Sequence, residues 1–104
     1  MRRIALIAAL ALAGCATTPA GLAKTNVEKT FTSTKTALAW ATCVAENTPE
    51  AELRSDGTRH WVLVSEFGVP RIRWDFIPTE GGSIVEQRTT AFIGKQSRMV
   101  EKCI

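Results

Sequence analysis

Arg71-Ile72-Arg73-Trp74-Asp75-Phe76-Ile77 alternates charged and apolar side chains from its first residue to Phe76. Successive side chains of a strand point to opposite faces, so Ile72, Trp74 and Phe76 face one way and Arg71, Arg73 and Asp75 the other. A period of two over this length describes an antiparallel strand with one covered face and one wet face. Residues 58–67 precede it and are β-branched and aromatic at His60-Trp61-Val62-Leu63-Val64, which reads as a strand. Gly68-Val69-Pro70 separates the two as a turn, and Pro78-Thr79-Glu80-Gly81-Gly82 forms the next turn. Residues 83–91 then read as a third strand, polar at alternate positions. Short connections favour a meander with 71–77 in the middle.

Helical patterns flank the meander. Over residues 35–46, Ala37, Trp40, Ala41 and Val44 share one face at a period of 3.6, with Leu38 and Ala45 at its edge and Cys43 beside it. The threonine-rich stretch 30–36 offers N-caps such as Thr32 or Ser33, and Asn47-Thr48-Pro49 is a helix stop. Residues 49–57 read as a solvated loop ending on the Asp56-Gly57 turn; Glu50, Glu52 and Asp56 lack the spacing of a calcium loop. Residues 94–103 close the chain as a helix, with Phe92, Gln96, Met99, Val100 and Cys103 near one stripe. The expected fold is α+β: a helix, a three-stranded antiparallel meander and a C-terminal helix, with both helices on one sheet face.

The N-terminus carries a different signal. Met1-Arg2-Arg3 is basic, residues 4–13 are uninterrupted Ile, Leu and Ala, and Gly14 is small. This is the pattern of a secretory signal, and at ten residues the run is about half of the roughly 20 needed to span a bilayer. Leu12-Ala13-Gly14-Cys15 resembles the lipobox of bacterial lipoproteins, with Leu three residues before the Cys and small residues at the two positions between. The resemblance covers the first fifteen residues. It implies cleavage before Cys15, a diacylglyceryl thioether on its sulfur and acylation of the new amino terminus. Ala16 follows the cysteine where an acidic residue would signal retention, which is similar to outer-membrane sorting. The expected division is a signal peptide over 1–14, a lipidated flexible tether over 15–31 and a small disulfide-closed domain over 32–104. Two or three acyl chains hold a protein stably at a membrane, at about 0.8 kcal/mol per buried methylene. Some fifteen extended residues reach at most about 50 Å from it.

Removal of the signal leaves 90 residues, enough for one small domain. Lys+Arg falls from 13 to 11 against 10 acidic residues, so the net charge of +3 drops to about +1 and gives no argument for nucleic acid. With Cys15 assigned to lipid, Cys43 and Cys103 remain as a pair, and an oxidising periplasm permits a structural disulfide between them. Such a bridge contributes about 4 kcal/mol in the chain-entropy model.

Chemistry-bearing patterns are sparse. His60 is the single histidine, without a partner at ligand spacing, so no metal or cofactor is expected. No nucleophile elbow is present, Gly81-Gly82-Ser83 is a turn rather than a phosphate loop, and the chain is expected not to be an enzyme. Trp40, Trp61 and Trp74 fall at core positions. The candidate binding face is the wet side of the central strand, Arg71, Arg73 and Asp75, joined by Glu66, Glu86 and Arg88. The expected partners are the membrane, through the lipid on Cys15, and an envelope protein or the cell wall. Two roles follow, an envelope interaction or assembly module and a small periplasmic inhibitor of a cell-wall hydrolase. The inhibitors are mostly β-barrels, and a helix over 35–46 speaks against that class.

Overall fold

The computed structural model describes residues 19–90 and 98–104. In chain order the elements are α1 (Pro19–Leu22), β1 (Lys29–Ser33), α2 (Ala37–Asn47), β2 (Ala51–Asp56), β3 (Arg59–Glu66), β4 (Val69–Thr79), β5 (Gly82–Thr89) and α3 (Arg98–Lys102). The five strands form one antiparallel sheet in the order β1-β5-β4-β3-β2. The fold is therefore mainly β, and the expectation of an α+β fold built on a three-stranded meander is corrected. The meander of β3, β4 and β5 is present with β4 in the middle, but a strand has been added on each side.

Both extra strands come from stretches with weak patterns. Residues 49–57, read as a loop, supply β2, whose inward face holds only Ala51 and Leu53. Residues 30–36, read as helix-capping threonines, lie largely in β1, where Phe31 is the one buried side chain. Thr30 and Thr32 flank it and are β-branched, which suits a pleated edge better than a helix start. The N-cap is Thr36 instead, whose Oγ1 accepts from the Ala39 amide at 3.2 Å.

Two-residue turns join β2 to β5. Asp56 faces Arg59, Glu66 faces Val69 and Thr79 faces Gly82. Positive φ at Gly57, and at both Phe67 and Gly68, gives the hairpins the backbone sense that matches strand twist. Helix α2 leaves β1 at one edge and crosses the sheet to reach β2 at the other. Ala37, Trp40, Ala41 and Val44, the expected stripe, are its buried residues. They pack on Val62, Val64, Ile72, Trp74, Phe76 and Val85, with Trp40 and Phe76 edge-to-face at 5.7 Å. Helix α3 covers the same face: Val100 and Cys103 join the core, and Trp40 Nε1 donates to the Val100 carbonyl at 2.9 Å. The remainder of the helix expected over 94–103, with Phe92 and Gln96, lies outside the described residues.

Cys43 and Cys103 meet as a disulfide pair, with Cα atoms 5.9 Å apart. Cys103 is buried, and the pair ties α2 to the C-terminal end of the chain. Residues assigned to a tether are folded where they are described. Leu22 is fully buried, the Glu28 amide donates to the Gln87 carbonyl, and β1 begins at Lys29. A tether can occupy only the part of 15–31 that precedes α1. Cys15 and the signal segment lie outside the described residues.

Candidate functional site

The sheet face opposite α2 carries the charged residues singled out by the alternation. Arg73 and Arg88 are direct cross-strand partners, as are Asp75 and Glu86. Like charges placed opposite one another repel, and the side chains resolve this diagonally. Asp75 accepts from Arg73 at 2.8–3.0 Å in a bidentate pair and from Arg88 Nη1 at 3.0 Å. Arg88 also reaches Glu86 at 3.7 Å and donates from Nε to the Thr25 carbonyl at 3.1 Å. The Arg73 guanidinium stacks over the Trp61 ring, 4.8 Å from its centroid.

Over β4 and β5 this face is not wet. The Arg73, Asp75 and Arg88 side chains are only 13%, 15% and 17% exposed. The N-terminal segment lies over them: α1 packs on β4, and Ala23 lines a cleft with Asp75, Glu86 and Arg88. Leu22 and Leu63 are buried yet stand apart from the main core, and Leu63 sits opposite Arg73 in register. The sheet thus has a second, smaller covered side in which an internally neutral set of charges replaces most of the apolar contacts. Its charges serve one another first.

Arg71 does not belong to that set. Val64 pairs with Ile72 while Ser65 pairs with Pro70, so Arg71 is the extra residue of a β-bulge. Proline is tolerated there because the ladder is already interrupted. Arg71 lines a cleft at the β3–β4 hairpin end with Pro49, Glu50, Ser65, Glu66 and Phe67. The residues expected on one face are therefore split: the structure brings Arg73, Asp75, Arg88 and Glu86 together and sends Arg71 elsewhere.

Two further features carry no signal in the sequence. Phe67 is 93% exposed and has φ 52°, a left-handed conformation costly for a bulky residue. Glu50, also at positive φ, lines the same cleft. The second feature is a cross-strand pair in which Ser55 Oγ lies 2.6 Å from His60 Nδ1. His60 shares a cleft with Asp75, but both carboxylate oxygens of Asp75 are already held by arginines. Among the described residues no group of three His, Cys, Asp or Glu is placed to hold a metal, and no helix is long and apolar enough to cross a membrane.

No protein-family model, curated protein or solved structure matches the chain.

Proposed function

We infer that this chain is a bacterial envelope lipoprotein, held at the periplasmic face of the outer membrane by lipid on Cys15, with a non-catalytic interaction or assembly domain. The observation that carries the membrane part is Leu12-Ala13-Gly14-Cys15 closing an apolar signal. The domain part is supported by where its polar groups are used. The charged cluster on the second face is turned inward, while a hairpin tip at Phe67 and the sheet edge at β2 are among the exposed features. Such features suit contact with another protein. Fractionation of cells expressing the full chain tests the anchor. The wild type should resist extraction from membranes by salt and alkali, and Cys15→Ala should remain uncleaved and longer by its signal. Equal processing and equal solubility of the two chains would overturn the reading.

A small inhibitor of a cell-wall hydrolase is the second reading. The five-stranded antiparallel sheet speaks for it, while α2, the helix that speaks against that class, keeps it second. Addition of the purified protein to a muramidase assay tests it, and unchanged hydrolysis at a large excess of the protein would remove it.

A further inference from the structure

We propose that β2 is a self-association edge, across which two copies of this chain pair antiparallel about Leu53 to form one continuous sheet. The proposal rests on the reading of the domain as an interaction module and names its partner as a second copy.

The first observation is the edge itself. Strand β2 is terminal in the sheet, and no described strand pairs its outer side. The Ser65 amide donates to the Glu50 carbonyl, so even-numbered residues turn their backbone groups toward β3. In an antiparallel ladder these directions alternate, which leaves the amides and carbonyls of Leu53 and Ser55 pointing outward. The strand has no proline, lysine or bulge, and its protection is the charge of Glu52, Arg54 and Asp56, which guards against partners that do not match it.

The second observation is self-complementarity. Ala51-Glu52-Leu53-Arg54-Ser55-Asp56, paired with itself about Leu53, sets Glu52 opposite Arg54 of the other copy, twice. Leu53 then meets Leu53 on the face that already packs against the core. Glu52 and Arg54 are exposed and contact each other within the chain at 3.1 Å, so the pairing joins two ion pairs into a four-charge cluster. Neighbouring registers are poorer. Centring on Glu52 or Arg54 brings like charges face to face, and centring on Ser55 runs past the strand end into Gly57. The opposite edge, β1, offers no such match: its one charge, Lys29, is paired to Glu101 at 3.9 Å.

A six-residue strand pair buries less than the roughly 1,200 Å² of a stable interface. Pairing therefore depends on confinement, which a shared membrane supplies by raising the effective concentration.

The test uses two differently tagged copies of the full chain, co-expressed, crosslinked in intact cells and recovered from detergent extracts. Wild-type copies should recover one another. Glu52→Arg with Glu52→Arg, and Arg54→Glu with Arg54→Glu, place like charges opposite twice, and recovery should fall about fivefold or more. Glu52→Arg with Arg54→Glu restores opposite charges and should recover to within about twofold of the wild type. That mixed pair requires both variants to be folded. Should either lose its Cys43–Cys103 bridge on a non-reducing gel, Glu52→Gln and Arg54→Gln give the same comparison with losses of about twofold. Wild-type copies that do not recover one another, or equal recovery of every pair, would overturn the pairing. Membrane partition of the same extracts reads the anchor separately, so a failed pairing and a failed anchor are distinguishable.

Discussion

Asp75 is the residue on which the second sheet face depends. It holds two arginines that the β4–β5 register places directly opposite each other. Asp75→Ala would leave Arg73 and Arg88 mostly buried and mutually repelling. Breaking a fully buried charge pair costs about 3–5 kcal/mol, and with some solvent access we expect a loss of about 2–3 kcal/mol in urea denaturation. A loss below about 0.5 kcal/mol would mean that the cluster is only a surface feature. Phe67 shows the opposite balance. It occupies the first position of a two-residue turn with positive φ, where Asn is favoured, and its side chain is almost fully exposed. Phe67→Asn should therefore stabilise the domain by about 1 kcal/mol, raising the melting temperature by roughly 4–8 °C in thermal circular dichroism. A lower melting temperature would reveal a packing role for the ring. Neither role was legible in the sequence. The alternation assigned Asp75 to a face but not its cover, and a single Phe beside Gly68 reads as part of any hairpin.

At the scale of elements, legibility followed the density of apolar side chains. Strand β4 and the stripe of α2 were readable because each supplies several large core residues at one period. Strands β1 and β2 were not, because each offers the core little beyond Phe31 or Leu53 and otherwise carries edge polarity. The bulge at Arg71 was equally hidden, since Arg71-Ile72-Arg73 fits an unbroken strand. Strand β1 is held partly by backbone geometry that the sequence does show in retrospect. A Cβ placed on Gly82 would lie 2.0 Å from the Ser33 carbonyl oxygen, so no other residue fits at the β1–β5 end without moving the backbone. Gly82→Ala should cost about 2 kcal/mol or more, and amide exchange should rise first in β1. Uniform exchange with unchanged stability would contradict this account of the edge.

At the scale of the whole molecule, among the described residues one sheet is covered by α2 and α3 on one side and, over β4 and β5, by the N-terminal segment on the other. The pairing of Cys43 with Cys103 came from thiol counting once Cys15 was set aside, and the folded chain places the two together. The second covered side was not legible, because Leu22 is a single large apolar residue among Ala20, Gly21 and Ala23 and its sheet face reads as charged. The bridge closes residues 60 apart in sequence, so reduction should lower stability by about 4 kcal/mol, measured as a shift of the urea midpoint. An unchanged midpoint would show that core packing alone holds α3.

The central claim is a division of labour among three cysteines: Cys15 for lipid, Cys43 and Cys103 for the fold. Intact mass spectrometry of the membrane-extracted chain, alkylated without reduction, tests it most directly. The account predicts a chain that begins at Cys15, carries diacylglyceryl and acyl mass, takes up no alkylating reagent and yields a peptide linked through Cys43 and Cys103. A chain that retains Met1, or one alkylated at Cys43 and Cys103, would contradict it.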